Sequence, residues 1–199
     1  MFKKIKNQVQ LVSNFSISEE RKDLLKIISS YIEEKINKKQ NINLNFICTH
    51  NSRRSQFCQI WSTVAAAYYN IEINSFSGGT EVTQCDFRTI ESLTRFGFKI
   101  EFKKSQNPLY KIKFSEKSKT IISFSKLIDD QFNYAEYFAA IITCSDADEK
   151  CPIVNNAEIR VPLRYNDPKK FDDTSFEAEK YDEISRQIAC EMFYIFSKI

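Results

Sequence analysis

The residues best suited to chemistry are Cys48-Thr49-His50-Asn51-Ser52-Arg53-Arg54-Ser55, between the apolar run Leu44-Asn45-Phe46-Ile47 and a segment of helical periodicity. A strand would deliver the thiol, a short loop would turn its backbone N–H groups inward, and the next helix would aim its positive end at an anion held there. Cys48 is the candidate nucleophile. A thiol attacks only as thiolate, a form favoured by cationic and helix-terminal surroundings. Arg54 can hold two oxygens in a bidentate grip, and Ser55 can donate to the sulfur. Thr49, His50, Asn51, Ser52, Arg53 and Ser55 complete an oxyanion-binding loop, so the expected ligand is a small oxyanion. Two other places bear on this chemistry. Asn166-Asp167-Pro168 offers an aspartate as general acid. Cys144-Ser145-Asp146-Ala147-Asp148-Glu149-Lys150-Cys151-Pro152 places two more thiols after another apolar run, Phe138 to Thr143.

Other cysteine chemistries fit less well. Zinc needs Cys-x2-4-Cys spacing or several histidines, and the chain has one histidine, so no metal site is expected. His50, two residues from Cys48 and inside the loop, is poorly placed as the independent base of a cysteine protease and is better read as a rim residue or modulator of the thiolate. With three glycines in the chain, a Walker-type nucleotide loop is excluded. Cys58 and Cys190 lie in helical patterns and read as small buried apolar side chains; Cys85 lies in a loop and is left open.

The elements that must position these groups follow from periodicity. Residues 1–40 form a helical extension: Ser16 to Glu20 supplies a helix start, and Leu24, Leu25, Ile28, Tyr31 and Ile32 give the helix one buried face. A first strand is expected over 42–47, a helix over 56–69, and a second strand over 71–77 broken by Gly78-Gly79. A helix over 88–96 closes on Gly97. Residues 98–124 break this rhythm and read as an inserted β-hairpin or added edge strands, followed by a buried strand over 138–143 and a final helix over about 176–197. The expectation is one α/β domain over 1–199, three-layered, with a central parallel sheet flanked by helices. A net charge of +3 argues for neither nucleic acid nor membrane, and no apolar stretch reaches the roughly 20 residues of a membrane span. Met1 to Lys6 carries the charges of a signal peptide, but Asn7, Gln8 and Gln10 interrupt its apolar core, so a cytoplasmic protein is expected.

Cys48 to Gln56 resembles the phosphate-binding loop of the low-molecular-weight protein tyrosine phosphatase fold, and within it thioredoxin-coupled arsenate reductases in particular. Ser77-Gly78-Gly79, the Cys144 to Pro152 string and Asp167-Pro168 extend the resemblance over roughly residues 42–199, minus the insertion. It implies that Cys48 attacks arsenate held by the loop and Arg54, and that Asp167 protonates the departing oxygen. Cys144 would then attack the adduct on Cys48, and Cys151 would pass a Cys144–Cys151 disulfide to thioredoxin, with no bound cofactor. Those two cysteines stand seven positions apart, about 10 Å along a helix at 1.5 Å per residue, so the segment must unwind for that disulfide to form. Some relatives hold potassium near the loop. Here the matching positions are Asn51 and Ser77, with Gln59 and Lys126 in place of the acids, so no potassium site is expected and the Lys126 ammonium is expected near Asn51. The family usually has glycine at the position of His50 and often cysteine at that of Arg53, which implies a bulkier, more cationic rim. The alternative activity is hydrolysis of phosphotyrosine or small phosphoesters through Cys48, Arg54 and Asp167 alone.

Overall fold

The computed structural model describes residues 1–12, 15–150 and 153–199, the side chain of Lys150 excepted. Two helices precede the first strand. The first, α1 (Lys3–Val12), buries Ile5, Val9 and Val12 and turns Asn7 and Gln10 outward; the polar residues that break a signal-like run are the outer face of an amphipathic helix. In the second, α2 (Glu19–Asn37), the Ser18 side chain caps the first turn by accepting from the Arg21 N–H.

The central sheet holds β1 (Asn43–Cys48), β2 (Asn74–Gly79), β6 (Phe138–Ile142) and β7 (Ala157–Val161), all parallel, in the order β2-β1-β6-β7. Side-chain alternation splits β6 between two cores. Ala139 and Ile141 join the large cluster with Leu44, Phe46 and residues of α1, α2, α3 (Arg54–Tyr68), α4 (Phe87–Phe96) and α6 (Glu177–Phe196). Phe138, Ala140 and Ile142 join a smaller one on the opposite face, with Ile47, Cys48, Cys144 and Ala147 of the short helix α5 (Ser145–Lys150). Trp61 ties α3 to its neighbours: its indole N–H donates to Ser185 Oγ at 2.9 Å, and its ring meets Phe96 and Phe98 edge-on.

Two expectations need correction, and one strand was not expected at all. The insertion is a second, separate antiparallel sheet of three strands, β3 (Lys99–Phe102), β4 (Tyr110–Lys113) and β5 (Ile121–Ser123), not a hairpin. Gly78 and Gly79 do not break β2; they are its last two residues, while Ile71 and Ile73 precede it. The strand read over 71–77 begins later because residues 70 and 71 still close α3: Asn70 adopts a left-handed φ of 59° and the Ile71 N–H returns to Ala66 O. Finally, β7 had no sequence counterpart. Its Glu158 and Arg160 are spent on ion pairs with Lys35 and Asp148, which hides the strand in a polar pattern.

Candidate active site

Cys48 is the last residue of β1, and the loop after it enters α3 at Arg54. Every carbonyl from Thr49 to Arg53 is tied outward. Thr49 O accepts from the Glu81 N–H (2.9 Å), His50 O from Ser125 Oγ (2.8 Å), Asn51 O from Gln56 Nε2 (2.8 Å), Ser52 O from the Asp86 N–H (3.0 Å) and Arg53 O from the Phe57 N–H (3.0 Å). With its carbonyls directed away, the loop is left with N–H groups for an anion, at the positive end of a 15-residue helix. Asn51 takes the left-handed conformation the turn requires (φ 46°), which asparagine tolerates better than most residues. Its Nδ2 donates to Ser55 Oγ at 2.8 Å, so the Ser55 hydroxyl proton is free to point at Cys48 Sγ, 3.1 Å away.

Arg54 faces the acid. Its Nη2 donates to Asp167 Oδ2 at 2.7 Å and its Nη1 to Tyr165 O at 3.1 Å. Asp167 also caps a short 3-10 turn at Pro168–Phe171 by accepting from the Lys169 N–H. Tyr165 is held by a network that sequence reasoning did not find. Its hydroxyl donates to Glu191 of α6, which also accepts two bonds from Arg21 of α2, and Arg21 lies over the Tyr165 ring. The N-terminal extension thus braces the segment that carries Asp167.

The other loop side chains divide. His50 stays at the rim, half-exposed, with Nε2 3.3 Å from Glu81. The Arg53 side chain leaves the rim: it donates to Tyr181 OH (2.8 Å) and Asp86 (2.6 Å), with Asp172 at 3.4 Å. The expected cationic rim is therefore not formed by Arg53, whose charge is offset in a network joining α4 to α6. Thr49 Oγ1 lies 3.6 Å from Cys144 Sγ, and Cys48 and Cys144 share the smaller core cluster at 4% and 1% exposure. The Cys144 sulfur accepts from the Ala147 N–H at the start of α5. Asp148, in that helix, pairs with Arg160 and Arg164; burial opposes its ionisation, but the two guanidiniums outweigh this and hold its carboxyl below the usual range. Cys151 lies outside the described residues.

No family model matches the chain, and no curated protein resembles it in sequence. Solved structures do resemble it. A low-molecular-weight protein tyrosine phosphatase of T. tengcongensis overlaps with a TM-score of 0.53 at 12% identity, covering 80% of this chain and 100% of that one. One from Vibrio cholerae O395 gives 0.51 at 14% identity, covering 79% and 95%. The fold is that of the low-molecular-weight phosphotyrosine phosphatases. A thioredoxin-dependent arsenate reductase of Corynebacterium glutamicum overlaps less, with a TM-score of 0.44 at 17% identity over 98% of this chain and 85% of that one.

On this phosphatase fold the extra sheet serves as a buttress for the loop. Ser125, just beyond β5, holds His50 O and exchanges bonds with Asn107 of the β3–β4 connection. Gln56, fully buried, links Asn51 O to Phe124 O and accepts from Ser123 Oγ. Gly79 sits so tightly against the loop that a Cβ there would lie 2.7 Å from Thr49 O and 2.8 Å from Asn51 N. Gly79→Ala is expected to destabilise the protein by about 1–3 kcal/mol and to weaken phosphate binding, measured by denaturant unfolding and calorimetry. Unchanged phosphate affinity would show that this contact does not shape the loop.

Lys126 lies where the loop meets β2. Its main-chain N–H donates to Asn51 Oδ1 at 3.1 Å, its ammonium is 3.4 Å from Ser77 Oγ, and Ser77 donates to Gln59 Oε1 at 2.6 Å. The four positions are thus linked by hydrogen bonds, but it is the Lys126 main chain that meets Asn51, and the ammonium meets Ser77. Burial pushes the Lys126 ammonium down to about 8 from an ordinary 10.5, against the opposing pull of Asp130 and Cys85. Below pH 8 both folded and unfolded chains carry this proton and the folded state bears the full cost of a buried charge. Between 8 and 10.5 only the folded state releases it, so that cost fades. Lys126→Met is therefore expected to be more stable than wild type by on the order of 2–3 kcal/mol at neutral pH, with the advantage shrinking as pH rises through 8 to 10.5. Unfolding free energies of both proteins across that range check this; a pH-independent difference contradicts it.

Proposed function

We propose that this protein reduces arsenate to arsenite with Cys48 as nucleophile and Cys144 as second thiol, drawing electrons from thioredoxin in a reducing, cytoplasmic setting. The observation that carries this reading is the placement of Cys144 beside Thr49, in the same buried cluster as Cys48. Arsenate binds in the loop against the N–H groups and draws Arg54 away from Asp167. Cys48 thiolate attacks arsenic(V), while Asp167, released from Arg54, takes a proton from the bound dihydrogen arsenate and passes it to the departing hydroxyl, which leaves as water. Cys144 thiolate then attacks the Cys48 sulfur. The sulfur–arsenic bond breaks with its electron pair going to arsenic, which leaves as arsenite, and the two thiols become a Cys48–Cys144 disulfide. Two electrons from thioredoxin, through Cys151, restore the thiols.

A second reading, hydrolysis of phosphotyrosine or a small phosphoester through a cysteinyl phosphate, is favoured by a different observation. Cys144 is buried, and the helix after it is pinned by Asp148 to Arg160 and Arg164. In that case Cys48, Arg54 and Asp167 suffice.

Cys144→Ser separates the two. The reductase reading expects thioredoxin-dependent arsenite production to be lost while aryl phosphate hydrolysis survives. Arsenite production at the wild-type rate in the variant would remove Cys144 from the reduction, and aryl phosphate hydrolysis by a wild type that forms no arsenite would leave hydrolysis as the activity.

A further inference from the structure

A cavity of about 450 Å³ lies behind the loop, between β2 and the second sheet. Its size falls within the range of small-molecule sites. Two edge-to-face aromatic pairs wall it, Phe76 with Tyr134 (5.0 Å between centroids) and Phe124 with Phe132 (5.1 Å). The charged group in its wall with least access to water is Lys126, 3% exposed. Its Nζ is 3.4 Å from Ser77 Oγ and 4.8 Å from the centre of the Phe124 ring. Among the described residues no carboxylate forms an ion pair with it, and Asp130 acts on it only from farther off. A buried ammonium with one long hydroxyl contact and a ring face is short of acceptors. Asn133, which also lines the cavity, has a buried Oδ1 without a hydrogen-bond partner.

We propose that this cavity binds a small aromatic monocarboxylate, its carboxylate on the Lys126 ammonium and its ring between the two aromatic pairs. The ligand class follows from the lining. One cation matches one negative charge, whereas a phosphate would need the several donors that the nucleophile's loop supplies. The aromatic walls favour a flat apolar body with edge and face contacts. The site is distinct from the anion loop but joined to it. Lys126 donates through its main chain to Asn51 and accepts at its carbonyl from the Gly79 N–H, 2.9 Å away. An occupant drawing on the Lys126 side chain thus acts on a residue that holds the loop, and this is the geometry of an effector site.

Benzoate is a suitable probe, titrated into the full chain by NMR with phosphate saturating the loop. Saturable binding that persists under phosphate is expected. Lys126→Met should weaken it about tenfold or more, the loss of a charge-assisted hydrogen bond. Tyr134→Ala removes an exposed residue of the wall and should weaken it about threefold to tenfold while leaving the fold intact. The proposal is overturned if wild type shows no saturable binding, if phosphate displaces benzoate, or if neither variant changes the affinity.

Discussion

Cys48→Ser is expected to lower turnover of arsenate or aryl phosphate by on the order of 10⁴- to 10⁶-fold, the effect of removing a covalent nucleophile. The loop's shape does not depend on the sulfur, because its five carbonyls are held by Glu81, Ser125, Gln56, Asp86 and Phe57. A serine hydroxyl fits the same space and accepts the same contact from Ser55, but at neutral pH it does not ionise as a thiol can. Phosphate binding should therefore remain close to wild type while kcat collapses. Calorimetry with phosphate, alongside steady-state kinetics, makes that split visible. Substantial turnover in the variant would place the chemistry on another residue.

Asp167→Asn has the second largest expected effect, a fall of about 10²- to 10⁴-fold in kcat for substrates whose leaving oxygen needs a proton. Asparagine keeps the shape and can still cap the turn at Pro168 by accepting from the Lys169 N–H, as Asp167 does. It cannot supply the proton. The resting carboxylate is paired with Arg54 at 2.7 Å, so the substitution also removes a competitor for that guanidinium. Oxyanion affinity should hold or improve while turnover falls. The deficit should shrink for an aryl phosphate whose phenolate leaves without protonation, such as p-nitrophenyl phosphate, compared with phenyl phosphate. An equal deficit on both would remove Asp167 from proton transfer.

The loop was legible because its chemistry is local. Cys48, Asn51, Arg54 and Ser55 lie within eight consecutive residues, between a strand before and a helix after that the sequence pattern also shows. Asp167 and Cys144 could be found because each follows a recognisable element or precedes a proline. The supports were not legible. Ser125 reaches His50 O across 75 positions and Arg21 reaches Glu191 across 170, so neither pairing leaves a mark in local spacing. Arg53 misled for the same reason. Beside Arg54 it reads as part of a cationic rim, and only the fold brings Asp86 and Tyr181 to it. The second sheet was found as strands but not as an independent sheet, because pairing partners are a property of the assembled chain.

The central claim is that Cys48 and Cys144 act in sequence on one oxyanion, and a single turnover tests it most directly. Fully reduced protein is mixed with one equivalent of arsenate without thioredoxin, quenched in acid with a thiol-blocking reagent, digested and analysed by mass spectrometry. A two-thiol reduction predicts one equivalent of arsenite and a cross-linked peptide pair joining Cys48 to Cys144. Arsenate recovered intact, with both cysteines carrying the blocking reagent, would contradict it.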